Sequence, residues 1–161
     1  MSRLFYRVVN PLVSTLLRSP FHGALSGNTL LLEYRGRRSG RFFRTPVSYC
    51  ELDGVLHCFA GTSHRWWRNL AAGEPVDVVL RGRRVTMMPA VNSEDRDEIA
   101  ARLRDFLRAV PRDAPHSGVR LLGDGEPDAG DLETAVDRHV HVLLTRSASR
   151  PGNRPAAQPS R

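Results

Sequence analysis

The residues best equipped for chemistry are arginines. From Arg35 to Pro46 the chain reads Arg-Gly-Arg-Arg-Ser-Gly-Arg-Phe-Phe-Arg-Thr-Pro, with five arginines (Arg35, Arg37, Arg38, Arg41, Arg44) inside ten residues and no acid between them. A guanidinium presents a planar fork of donors that matches phosphate or carboxylate. A tight connection built on Gly36 and Gly40 can aim backbone N–H groups at the same anion. The stretch therefore reads as an anion-binding hairpin or as a solvated basic turn, and on its own it favours neither.

Other reactive side chains are sparse. Cys50 and Cys58 are the only cysteines; their spacing fits no metal site, and they are expected to be reduced and half-buried, facing each other across a hairpin. His139 and His141 alternate with valines in a strand-like run, but no third ligand stands nearby, so no metal is assigned. His64 is a lone exposed histidine. No Ser-His-Asp set or paired carboxylates stand out. No catalytic side chain is named: if the chain is an enzyme, a cofactor carries the chemistry.

Charge singles out the same region. All 24 basic residues are arginine; residues 1–90 carry a net +8, residues 91–145 a net −5 and the last 16 residues +4. The positive field surrounds the glycine turn and steers anions there. No nucleic-acid motif with interleaved aromatics accompanies it, so a small anionic ligand is expected and nucleic acid is not.

The elements that must position these residues follow from periodicity. Leu4, Val8, Leu12 and Leu16 with Phe5, Val9, Val13 and Leu17 make a broad apolar stripe, interrupted at Asn10-Pro11. This amphipathic helix is expected to be a core lid, with residues 1–18 as a peripheral membrane anchor the alternative. Strands are expected at Thr29–Tyr34, Phe42–Leu52 and Val55–Ala60, the last two joined by the hairpin signal Asp53-Gly54. Pro46 cannot donate to a ladder and marks an edge, a bulge or a place of close approach. Ser63 and Gly73 bracket a helix of two or three turns, in which one of Trp66 and Trp67 faces inward with Leu70. Strands at Val76–Leu80 and Arg83–Val91 flank Arg81-Gly82. A helix capped at Asn92 or Ser93 carries the stripe Ile99, Leu103, Phe106, Leu107 and Val110. A short helix at Asp131–Asp137 and a strand at His139–Leu144 complete the set.

Six short strands joined by tight turns, with flanking helices, make an α+β protein built on a mostly antiparallel, closed or half-closed barrel. Residues 1–145 are expected to form one domain that includes the N-terminal helix. Residues 146–161, with no apolar anchor, are expected to form a disordered basic tail. No signal peptide or spanning segment is read, which places the chain in the cytoplasm, with peripheral membrane contact as the variant.

Gly36-Arg37-Arg38-Ser39-Gly40, then Arg44-Thr45-Pro46-Val47, Tyr49, Asp53-Gly54, Ala60-Gly61 and Trp67-Arg68-Asn69-Leu70 together resemble the deazaflavin-dependent nitroreductase and quinone reductase family of split β-barrel oxidoreductases. The resemblance implies a six-stranded split barrel of the flavin-reductase and pyridoxamine-phosphate-oxidase type. It implies coenzyme F420 (8-hydroxy-5-deazaflavin) as hydride donor and a small oxidised substrate such as a quinone or nitro compound. Arg37, Arg38, Ser39 and Arg44 would hold the anionic end of the cofactor. Pro46, Val47, Ala60 and Gly61 would line its ring, and Trp67 and Asn69 would brace the wall; Gly40 and Thr45 complete the implied cofactor-binding set. Between Ala60 and Trp67 the chain is shorter than the family's Gly- and Lys-containing loop, and no tyrosine follows Tyr49. The alternatives are a split barrel that binds flavin mononucleotide (FMN) and a non-catalytic cofactor-binding or anion-binding protein. A homodimer is compatible with each.

Overall fold

The structure, a computed structural model, describes residues 27–147. The N-terminal stripe and nearly all of the expected tail lie outside the described residues. Six strands form a closed antiparallel barrel: β1 (Thr29–Arg35), β2 (Phe42–Leu52), β3 (Val55–Gly61), β4 (Val76–Leu80), β5 (Arg83–Asn92) and β6 (His139–Arg146). The order around the barrel is β1-β2-β3-β6-β5-β4, and pairing of Leu31 with Val79 and of Glu33 with Asp77 closes β4 onto β1. Helices α1 (Arg96–Ala109), α2 (Ala114–Ser117) and α3 (Ala129–Val136) fall between β5 and β6. The α+β class and the six-stranded barrel agree with expectation, and the barrel is fully closed.

Period-two alternation separates the faces of every strand. Leu30 and Leu32, Val47 and Tyr49, Leu56, Cys58 and Ala60, Val76 and Val78, Met87, and Val140, Val142 and Leu144 point inward and form the barrel core. Two turns set the strand pairing. Asp53-Gly54 has φ +52° and +77°, and Arg81-Gly82 has φ +48° and +78°. Left-handed backbone at both central residues matches the twist of paired strands, which is why a glycine closes each turn.

A second cluster covers one outer wall, where Leu103, Phe106 and Leu107 of α1 and Leu132 and Ala135 of α3 pack with Cys50 of β2. All five expected stripe residues of α1 are buried. The cap differs from expectation. The Asn92 side chain accepts the Glu94 and Asp95 N–H groups (3.2 and 3.0 Å), so a turn precedes the helix and Asp95 becomes the N-cap, accepting from the Glu98 N–H at 3.0 Å.

Two further expectations are corrected. The helix expected between Ser63 and Gly73 is only a 3-10 turn, Trp67–Asn69. Trp66 and Leu70, on either side of that turn, are both buried in the barrel core. The cysteines do not face each other. In the β2–β3 register Tyr49 pairs with Cys58 and Cys50 with His57, so Cys58 points into the barrel and Cys50 outward under α1. Both thiols are free and fully buried, not half-buried.

Candidate functional site

The β1–β2 connection is a compact loop. Gly36 N–H donates to Arg41 O and Gly40 N–H to Gly36 O, both at 2.8 Å, and Arg41 N–H reaches the Ser39 hydroxyl at 3.3 Å. Gly40 takes φ +61°, which glycine adopts without strain. Gly36 is closely packed: a Cβ there would lie 2.8 Å from Ser39 Oγ and 2.9 Å from Phe43 Cε2, so these side chains would have to move to admit one. Arg37 N–H donates to Asn69 Oδ1 at 2.9 Å, and Asn69 Nδ2 donates to Arg65 O at 3.1 Å. One asparagine thus ties the basic loop to the segment that follows β3. Among the described residues, the N–H groups of Arg38 and Ser39 have no protein acceptor.

Between these two segments lies a cavity of about 360 Å³, lined by Tyr34, Gly36, Arg37, Arg38, Ser39, Phe43, Arg65, Arg68 and Asn69. Among the described residues four arginines and two hydroxyls line it, and no carboxylate does. Tyr34 and Phe43, paired across β1 and β2, stack with ring centroids 5.5 Å apart and an interplanar angle of 20°. The Tyr34 hydroxyl sits 3.4 Å from Thr45 Oγ1. The donors suit phosphate and carboxylate, and the aromatic pair suits a flat ring, so the lining fits an anionic flavin-like cofactor. Among the described residues, the Tyr34 and Ser39 hydroxyls are the only side-chain O–H groups of the lining.

Of the residues singled out in the sequence, the cavity brings together Arg37, Arg38, Ser39 and Asn69. Gly40 closes the loop beside them, and Thr45 stands behind Tyr34. Trp67 is half-buried against the barrel core with Arg68 over its ring at 5.2 Å; its indole N–H is buried without a partner among the described residues. Gly61 ends β3, where its carbonyl accepts the His64 N–H at 2.9 Å. The other candidates lie elsewhere. Val47 and Ala60 are core residues inside the barrel, and Pro46 is exposed on its outer face. Arg44 also points outward, where its Nε is 2.8 Å from the buried carboxylate of Glu33, which also lies 2.8 Å from Arg84. Strand parity separates them: Arg44 and Pro46 alternate with Phe43, Thr45 and Val47. Sequence reasoning did not mark Tyr34 and Phe43, although an aromatic at each end of the arginine run was a visible signal.

On the opposite outer wall, His57 of β3 and His141 of β6 form a second polar group, buried beneath α1. His57 Nδ1 and His141 Nε2 are 2.9 Å apart, and His141 stacks on Phe59 at 4.9 Å. His141 Nδ1 is buried with no partner among the described residues. Burial pushes both imidazoles below the usual histidine range, His141 to about 4, with the neighbouring His57 adding to the effect there. Burial likewise raises the Cys50 thiol to about 11, which leaves it protonated and unreactive. Among the described residues no group of three His, Cys, Asp or Glu side chains has the geometry to hold a metal, and no helix is long and apolar enough to cross a membrane.

Comparison with solved structures places the fold among known ones. The protein Atu2129 of Agrobacterium tumefaciens, of unknown function, is 17% identical and superposes with a TM-score of 0.51 over 78% of this chain and 50% of its own. This chain therefore spans about half the length of that protein. A protein described as an F420 reductase is 16% identical (TM-score 0.46, 81% of this chain and 95% of that one). A Clostridium acetobutylicum protein related to general stress protein 26, of the pyridoxinephosphate oxidase family, is 13% identical (TM-score 0.47, 91% and 86%). No curated protein sequence matches. Residues 14–116, which contain the basic loop, the segment after β3 and all but the final strand of the barrel, match one family model; the chain belongs to the family described as F420H(2)-dependent quinone reductase, a family of oxidoreductases.

Proposed function

We propose that the chain binds reduced coenzyme F420 in the cavity between the β1–β2 loop and the segment after β3, and that a small oxidised acceptor, a quinone or nitro compound, is reduced there. The observation that carries this is the lining of the cavity: four arginines with no carboxylate among them. FMN ends in one phosphate, which two or three donors would satisfy. A phosphodiester followed by several carboxylates needs positive charge spread over both walls, as Arg37 and Arg38 on one and Arg65 and Arg68 on the other provide.

In this arrangement Arg37, Arg38 and Ser39 hold the phosphodiester, with the free N–H groups of Arg38 and Ser39 in reach of the same oxygens. Arg65 and Arg68 take the carboxylates of the tail. Asn69 fixes the loop and so sets the spacing of the donors. When bound, the reduced deazaflavin supplies a hydride, and a quinone that takes it up together with a proton leaves as the hydroquinone. Calorimetric titration of the protein with F420 and with FMN, followed by a quinone-reduction assay, is the test. Tighter binding of F420 and turnover with a quinone or nitro acceptor are expected. Preference for FMN, or binding without turnover, would replace this function with a flavin enzyme or a cofactor carrier respectively.

A further inference from the structure

We propose that the basic cavity of one copy of this chain receives hairpin 121–127 of a second copy, so that copies associate head to tail. Phe43, at 40%, and Leu122, at 49%, are the exposed large hydrophobics among the described residues. Their surroundings are opposite in charge. Phe43 stands in the cavity with Arg37, Arg38, Arg65 and Arg68 and no carboxylate. Leu122 stands in residues 120–133, which hold five acids against one arginine. The hairpin is also stiff. Leu121 bridges Pro127, Leu122 N–H donates to Glu126 O at 2.7 Å, and Gly125 N–H donates to Leu122 O at 2.8 Å. Arg108 of α1 grips the Glu126 carboxylate through two bonds of 2.7 and 2.6 Å. Little conformational freedom is left to lose when a partner buries Leu122. Asp124, exposed at the turn, spends one oxygen on the Glu126 N–H at 3.0 Å and keeps its charge beside the leucine. An apolar tip next to a carboxylate fits a cavity with an aromatic floor and arginine walls, Leu122 on Phe43 and Asp124 among the guanidinium groups. The two surfaces cannot meet within one copy. The cavity lies where β2 begins, whereas the hairpin is fastened to Arg108, which lies with Leu52 and Asp53 where β2 ends. The eleven residues of β2 separate those ends by roughly 33 Å. A contact between unlike patches at opposite ends of the barrel repeats from copy to copy and does not close in a two-fold dimer. A docked hairpin excludes an anionic ligand from the cavity, whichever cofactor the cavity binds.

Sedimentation velocity of the full chain at rising concentration, in low and high salt, is the test. Leu122→Ser removes the tip, and Arg37→Glu combined with Arg38→Glu reverses one wall of the cavity. All three side chains are exposed, and melting temperature reports that each variant folds. Should Leu122→Ser melt early, Asp124→Asn, which keeps the acceptor of the turn without its charge, is read in its place. Wild type should associate at low salt, its average mass climbing past that of a dimer, and should return to monomer at about 0.5 M salt. Each variant alone should need at least tenfold more protein to associate. Mixed in equal amounts, the two variants should form a one-to-one pair and nothing larger, since one tip and one cavity remain intact between them. Inorganic tripolyphosphate, a polyanion that competes for the arginines, should dissolve the wild-type association. Wild type that stays monomeric at millimolar concentration in low salt, or a mixture no larger than its parts, would overturn the docking. Association that neither set of changes weakens, or that tripolyphosphate leaves intact, would place the contact on another face and equally overturn it. Association as described in a protein that binds no F420 leaves the docking standing while the function proposed above falls.

Discussion

The backbone N–H of Arg37 donates to the side-chain oxygen of Asn69 at 2.9 Å, joining residues 32 apart in sequence across the mouth of the barrel. Neither partner is a charge, yet the bond sets where charges go. It holds the loop that carries Arg37 and Arg38 at a fixed distance from the segment that carries Arg65 and Arg68. The Asn69 amide also donates to Arg65 O, so the same side chain braces both walls.

Asn69→Ala should therefore cost little stability and much affinity. The hydrogen bond is exposed, and its loss is worth about 1 kcal/mol to the fold. With the loop untied, the donors no longer converge, and binding of F420 should weaken about tenfold. Asn69→Asp keeps the acceptor for Arg37 but places a carboxylate among the arginines, so it should hold the loop and still weaken the anion. Equal affinity of Asn69→Ala and wild type in calorimetry would show that the loop needs no tether.

Replacing Arg37 and Arg38 together by Ala should leave the melting temperature nearly unchanged, because both side chains are exposed. Each charge-assisted bond lost from the anion is worth roughly 1.5–3 kcal/mol. Affinity should fall by at least tenfold, and the dependence of binding on ionic strength should flatten, since fewer charges remain to be screened. A double variant that binds as tightly as wild type at low salt would remove the loop from the site.

How much of this was legible beforehand follows strand parity and sequence range. Asp53-Gly54, Arg81-Gly82 and the alternating apolar runs are local signals, and they located the strands to within one or two residues. Cys50 and Cys58 failed because hairpin register, not spacing, decides which residues meet, and Asp53-Gly54 pairs Cys50 with His57. The Trp66 segment failed because caps at Ser63 and Gly73 are local, whereas the barrel core in which Trp66 and Leu70 are buried is assembled from all six strands, outside that segment. At the site, the arginine loop was visible as composition. Strand parity already set Arg44 on the face opposite Thr45 and Val47; its pairing with Glu33 was not visible, since that depends on the register of the β1–β2 ladder.

That ion pair gives a stability prediction independent of the site. Glu33 is almost fully buried between Arg44 and Arg84, whose side chains are 30% and 58% exposed. Glu33→Ala would leave two guanidinium groups facing each other with no counter-charge. A fully buried pair broken in this way costs about 3–5 kcal/mol; water reaches both arginines, so about 2 kcal/mol is expected here. Chemical denaturation should show the loss, while affinity for F420 stays within twofold, because the cluster sits on the outer wall. A large affinity change with intact stability would place Arg44 in the binding site after all.

The last prediction concerns pH, through His57 and His141. The groups around the pair are Glu98, Arg102 and Asp105 on α1, Asp53 at the β2–β3 turn, and Cys50 and Phe59 on the neighbouring strands. Burial holds the folded His141 pKa at about 4 against an ordinary 6.5, with His57 shifted in the same direction. In that window the unfolded chain binds a proton that the folded chain refuses, so stability rises with pH there. The contribution is fully present above about pH 6.5 and is lost as pH falls toward 4, amounting to about 3 kcal/mol for His141. The physical cause is visible in the geometry. One proton is shared between His57 Nδ1 and His141 Nε2, and an added proton on His141 would leave its Nδ1–H buried with nothing to receive it. Replacing both histidines by Leu should flatten the stability profile between pH 6.5 and 4 relative to wild type, while the shared titration of surface carboxylates cancels in the difference. Denaturant unfolding of the two proteins at pH 7.5 and 4.5 measures it directly. Equal losses in both would mean that the imidazoles titrate normally and that α1 opens freely enough to admit water above them.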